Sequence, residues 1–243
     1  MTTEHRRRRR RYAGVLLAAC LSSTLSACGS DGIFSDDAPT RACGVVVDAS
    51  GSGADFHADE RIKTKLESFL EQQSCGQLTF VALNSLSDTS TCNEERLDLD
   101  PKVGDPQAVR AAQRQEAVTR ALRLLDCARK ESHDSNVLGA LRKAASTRPS
   151  GTGPYAVLVI SDMVQADRRV NMLTANISTP EARAAIIDQL GDLTPHLNDT
   201  VLYPTDLSAN LADPKHGLNV REFWTELFAT DASGRPKIEM NYG

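Results

Sequence analysis

Gly44-Val45-Val46-Val47-Asp48-Ala49-Ser50-Gly51-Ser52 is the stretch on which the fold turns. A short unbroken apolar run is followed at once by a carboxylate and two hydroxyls at spacings of two. Such a run, bounded by a turn, is the pattern of a strand buried on both faces, the kind found in parallel sheets. Similar runs follow at Leu78 to Leu83 and Tyr155 to Ile160, with a weaker one at Thr200 to Tyr203. Between them the apolar period becomes helical. Ile62, Leu66, Phe69 and Leu70 repeat at i, i+4, i+7 and i+8, and Val118, Ala121, Leu122 and Leu125 at i, i+3, i+4 and i+7. Val220, Phe223, Trp224, Leu227 and Phe228 form the strongest stripe, read as core, and Thr179-Pro180-Glu181 marks a capped helix start. Strands alternating with helices predict an α/β, Rossmann-like fold: a mainly parallel central sheet with helices on both faces. Arg96-Leu97-Asp98-Leu99 alternates as a short antiparallel edge strand would, and Lys237-Ile238-Glu239-Met240 offers a final edge strand.

The chemistry gathers at one edge of that sheet. Open α/β sheets bind ligands beyond the carboxyl ends of their strands, which is where Asp48, Ser50 and Ser52 fall. Asp162 ends the run Val157-Leu158-Val159-Ile160-Ser161-Asp162 and is expected at the same edge. Ser135 adds a hydroxyl in the loop leading into the helix of Val137 to Leu141. These oxygen donors from three loops suit a small hard cation, which takes an octahedron of oxygens and keeps part of its water.

This constellation resembles the metal-ion-dependent adhesion site of von Willebrand factor type A (vWA) domains, over about residues 43–243. In that family an Asp-x-Ser-x-Ser motif follows the first strand, a Thr stands in a second loop and an Asp follows the fourth strand. Asp48, Ser50 and Ser52 match the motif, Ser135 holds the Thr position and Asp162 that of the last Asp. The resemblance implies a vWA fold, Mg²⁺ or Mn²⁺ as the metal, and a protein partner whose Asp or Glu supplies a final ligand. Two departures stand out: Met163 follows Asp162 where Gly is common, and Ser replaces Thr at 135. Neither removes a ligand atom.

The start of the chain reads as an export signal. Arg6 to Arg11 precede the apolar stretch Tyr12 to Leu21, then Leu25-Ser26-Ala27-Cys28. That last run resembles the lipobox of bacterial lipoproteins, which implies cleavage after residue 27, lipid on Cys28 and an outward-facing place at the cell membrane. Leu17-Ala18-Ala19-Cys20 is a second possible box, with only a short apolar stretch ahead of it. The arginine run satisfies the twin-arginine export pattern as well as the general one. Residues 28–42 read as a flexible tether, being small, acidic and without period, and residues 43–243 as the folded domain.

Processing at Cys28 leaves an even set, Cys43, Cys75, Cys92 and Cys127, as an oxidising compartment favours. Cys43 and Cys75 each precede a predicted parallel strand, so they pair if those strands are neighbours, leaving Cys92 with Cys127. Four cysteines allow three pairings. Without residues 1–27 the chain holds 22 basic and 31 acidic residues, a formal charge of −9. An acidic domain without a basic stripe argues against nucleic acid as partner.

Rival chemistries find less support. No Gly-x-Ser-x-Gly surrounds Ser50 or Ser52, and His57, His133, His196 and His216 are scattered, which disfavours a hydrolase. Gly51-Ser52-Gly53 begins a dinucleotide fingerprint, but Phe56 stands where its third Gly belongs. No His-x-x-x-His or close Cys pair points to zinc. The reading is a lipid-anchored, non-enzymatic binding module that uses a divalent metal, with a metal-independent scaffold of the same fold as the alternative.

Overall fold

The computed structural model describes residues 40–51, 57–94, 96–100, 102, 106–131, 134–208, 211–228, 237–240 and 242. The signal, Cys28, the tether up to residue 39, and Ser52 lie outside the described residues. Five strands form one sheet: β1 (Arg41–Asp48), β2 (Cys75–Leu83), β3 (Leu97–Asp98), β4 (Thr152–Ile160) and β5 (Thr200–Pro204), in the order β3-β2-β1-β4-β5. β1 runs parallel to β2 and to β4, and β4 parallel to β5, while β3 pairs antiparallel with β2. The helices are α1 (Ala58–Gln72), α2 (Gln107–Ala128), α3 (Val137–Ser146), α4 (Pro180–Leu190) and α5 (Pro214–Leu227).

The continuous apolar run of β1 follows from its central place. Both of its edges are hydrogen-bonded and both of its faces are covered, with successive side chains going to opposite sides. Ala42 and Val46 join Val137, Leu141, Phe223 and Trp224 of α3 and α5. Cys43, Val45 and Val47 join Ile62, Leu66, Phe69, Ala121 and Leu125 of α1 and α2. Each such buried Val, Leu, Ile or Phe side chain contributes about 1.5–3 kcal/mol. The result is helices on both faces of a mostly parallel sheet, as the alternation of periods predicts.

One position in β1 has no room for a side chain without displacing a neighbour. Tyr155 of β4 lies across Gly44, and its hydroxyl is hydrogen-bonded at 2.8 Å to the Thr79 hydroxyl of β2. A Cβ on Gly44 would stand 2.2 Å from the Tyr155 hydroxyl oxygen. The missing side chain thus lets one tyrosine tie three strands together.

Both disulfides exist in the pairing expected, Cys43–Cys75 and Cys92–Cys127, each with Cα atoms 5.7 Å apart. The first joins the starts of neighbouring strands, and the second ties the loop after β2 to the last turn of α2. Disulfides of this kind are compatible with an exported protein. Among the described residues no helix is long and apolar enough to cross a membrane.

Three sequence expectations shift in detail. β1 begins at Arg41, so the last two residues assigned to the tether belong to the sheet. Arg41 is held there, its Nε donating to Pro154 O at 2.8 Å and its guanidinium bonding the Gln73 side chain. The buried face of α2 is Ala117, Ala121, Leu124, Leu125 and Ala128, with Val118 and Leu122 only partly buried. Small alanines let α2 approach the sheet closely, a signal that a search for large apolar residues passes over. Lys237 to Met240 reduce to a single parallel bridge, Leu202 with Ile238.

Candidate metal centre

The order β3-β2-β1-β4-β5 reverses at β1: the chain passes to β2 on one side and reaches β4 on the other. That makes the gap beyond β1 and β4 the topological switch point, the ligand crevice of open α/β sheets. Val47 is in register with Ile160, so Asp48 and Ser161 emerge side by side at the carboxyl end. Ala49 N donates to Leu83 O at 2.9 Å, extending the β1–β2 ladder one residue and steadying the start of the loop.

Asp48 is wholly buried. Its Oδ1 accepts from Ser50 N at 2.9 Å and Ser50 Oγ at 2.5 Å, and its Oδ2 accepts from Ser161 Oγ at 2.6 Å. Burial pushes its carboxyl above the usual carboxylate range, opposed by the hydrogen bonds from Ser161 and Ser50. Among the described residues no Lys or Arg forms a salt bridge with it. A carboxylate withdrawn from water with neutral donors alone is a costly arrangement, and a cation at the crevice relieves that cost.

Asp162, nearly fully buried, follows Ser161 directly. Its Oδ1 accepts from Val164 N at 2.9 Å and its carbonyl from Ser208 N at 2.8 Å. Met163 has φ 57°, a left-handed conformation that costs a non-glycine residue about 1–2 kcal/mol. Its carbonyl accepts from Trp224 Nε1 at 2.8 Å, and its N–H donates to Ser161 Oγ at 2.8 Å. These bonds hold it there, and the conformation explains why Gly suits the position after such an Asp.

Ser135 is brought to the same loop through its backbone. Ser135 N donates to Ala166 O at 3.3 Å and Ala166 N to Ser135 O at 2.8 Å. Gln165 adds a second tie, its Oε1 accepting from Leu138 N at 3.0 Å in the first turn of α3. That turn is capped by Asn136, whose side chain accepts from Gly139 N at 2.9 Å. Ser135 Oγ, fully enclosed, has no hydrogen-bond partner. An unpaired buried hydroxyl costs about 1–3 kcal/mol.

Of the five donors expected, Asp48 and Ser50 are in direct contact, and Asp162 is joined to them through Ser161. Ser135 is bound to the loop that follows Asp162, and Ser52 falls outside the described residues. Sequence reasoning missed Ser161. Its signal was available: a hydroxyl one residue beyond a buried strand, opposite the carboxylate that ends the neighbouring strand.

Comparison with protein-family models, with curated proteins and with solved structures finds no match to this chain.

Among the described residues no group of three or more His, Cys, Asp or Glu side chains could hold a metal. The donor set at the crevice is of another kind, two carboxylates with neutral hydroxyls. Oxygen ligands with few charges leave room for water and an outside ligand, the habit of Mg²⁺ rather than of zinc. The enclosed, unpartnered Ser135 hydroxyl fits such an ion.

Proposed function

We propose that this chain is an exported, lipid-anchored binding module of vWA type that engages a protein partner in the cell envelope through Mg²⁺ or Mn²⁺. Asp48, Ser50, Ser52, Ser135 and Asp162 would hold the ion, and Cys28 would carry the lipid. The observation that carries the reading is a buried Asp48 without a cationic partner at the switch point, together with a buried, unpartnered Ser135 hydroxyl in the loop whose backbone is bonded to Ala166 beyond β4. The position of Asp162, two residues beyond β4, adds support, since the family places its last Asp after the fourth strand. When bound, the ion supplies positive charge that its neutral hydroxyl ligands leave uncompensated, to which a partner's Asp or Glu attaches. The chain's own groups orient and desolvate that contact.

The test is capture of partner from envelope extracts in Mg²⁺ and in chelator, with Ser135→Ala as control. Capture that chelator abolishes and Ser135→Ala weakens supports the reading; capture indifferent to both contradicts it. One observation favours a metal-independent scaffold of the same fold: both Asp48 oxygens already have donors in Ser50 and Ser161. On that reading the oxygens serve loop geometry alone, and capture persists in chelator.

A further inference from the structure

Beside the candidate metal centre the loops leave a cavity of ≈ 470 Å³. Its walls include Leu86 and Asp88 after β2, Asp134 and Asn136 before α3, and Arg168 and Arg169 after β4. Asp88 is bridged to Arg142, and Asp167 Oδ1 accepts from Arg169 N at 2.8 Å and Val170 N at 2.9 Å. Asp167 N donates in turn to Val170 O at 3.1 Å, closing a tight turn that carries Arg168 and Arg169 at its tip. Both arginines are exposed, and neither forms an ion pair among the described residues. In a domain with 22 basic and 31 acidic residues after position 27, two adjacent unpaired guanidiniums are a local exception.

We infer that this groove receives an acidic, extended segment of the protein partner, with a second carboxylate held by Arg168 or Arg169 beside the one directed to the metal. The inference rests on the metal-dependent reading above. Connectivity sets the spacing. Ser135 stands between Asp134 and Asn136 of the wall, and its backbone partner Ala166 is two residues before Arg168. An extended peptide advances about 3.3 Å per residue, so a few residues cover that span. The arginine fork matches a carboxylate through two parallel charge-assisted hydrogen bonds, which an ammonium cannot offer. Leu86, 45% exposed, gives the segment an apolar contact. Chemistry of this sort selects a partner carrying two spaced acids.

The probe is a fluorescein-labelled peptide Gly-Glu-Ala-Ala-Glu-Gly, with a counterpart in which the second Glu is Gln. Anisotropy is read against the full chain in detergent with Mg²⁺, for the native protein and for Arg168→Glu with Arg169→Glu. Calorimetry of Mg²⁺ on both proteins is the separate readout. The charge reversal is expected to weaken the two-acid peptide about tenfold or more, and the one-acid peptide by less than about threefold, with Mg²⁺ affinity unchanged. Equal binding of the two peptides to the native protein, or an unchanged two-acid affinity in the variant while Mg²⁺ still binds, overturns the groove proposal alone. Arginine-dependent binding that survives chelator supports the groove and removes the metal reading. No Mg²⁺ heat and no peptide binding overturns both.

Discussion

Replacing Ser161 with alanine removes a single oxygen and, with it, two buried hydrogen bonds. That hydroxyl donates to Asp48 Oδ2 at 2.6 Å and accepts from Met163 N at 2.8 Å. A hydrogen bond to a charged group contributes about 1.5–3 kcal/mol, and a neutral one about 1 kcal/mol. The volume lost is too small to add a cavity cost of similar size. Ser161→Ala should therefore destabilise the metal-free protein by roughly 3 kcal/mol, a fall of about 10 °C in Tm for a domain of this length. Urea unfolding at neutral pH measures it, with an unchanged slope as the sign that folding remains cooperative. A cycle with Asp48→Asn assigns the cause: if the Asp48–Ser161 bond carries the effect, the double variant loses at least about 1 kcal/mol less than the two single variants together. A loss below about 0.5 kcal/mol, or strict additivity, would refute the claim that Ser161 sustains the buried carboxylate.

Gly44→Ala should cost about 1–3 kcal/mol by overpacking against Tyr155, and less when Tyr155→Phe removes the nearest atom; paired thermal melts read the difference. Burial pushes the Tyr155 hydroxyl up to about 12 from 10.0, so folding favours its neutral form. That contribution is complete below pH 10 and is lost as pH rises through about 12, roughly 3 kcal/mol in all, and absorbance of tyrosinate should show its ionisation coinciding with alkaline unfolding. Removing the Cys92–Cys127 bridge by a double alanine substitution opens a link across 35 residues and should lower stability by about 2–4 kcal/mol, read by urea titration of the variant beside the parent.

Much of this architecture is legible in residue order because the physics is local. A central parallel strand has no solvent face, so Val45, Val46 and Val47 cannot alternate with polar residues, and the run announces itself. Thr179 and Pro180 start a helix as their types require, with Thr179 accepting from Ala182 N at 3.3 Å. Edges are harder to read. Leu97 and Asp98 do pair antiparallel with β2 at the sheet edge, as their alternation predicts, but over two residues only, and Ile238 forms only a bridge to Leu202. The face of α2 is hard to read because much of its contact is made by alanines, whose small size carries little hydrophobic signal.

The candidate site divides in the same way. Asp48 and Ser50 are legible as a pair because they are two residues apart and bond within one turn. Ser161 was not, because its role depends on the register that sets it opposite Asp48 across two strands. The left-handed backbone of Met163 is equally hidden: one of the two bonds that hold it comes from Trp224, sixty-one residues away in sequence. Ser135 and Ala166 meet through backbone bonds, which no side-chain pattern records.

The most direct test of the account is calorimetric titration of Mg²⁺ and of Mn²⁺ into the purified protein and into Ser135→Ala. Ser135 Oγ is buried without a hydrogen bond, so its removal should raise the stability of the metal-free protein by about 1 kcal/mol or more. Heat that saturates near one ion per chain is expected, with affinity lowered about tenfold or more in the variant. Absence of saturable heat in the parent, or equal affinity in both proteins, would contradict it.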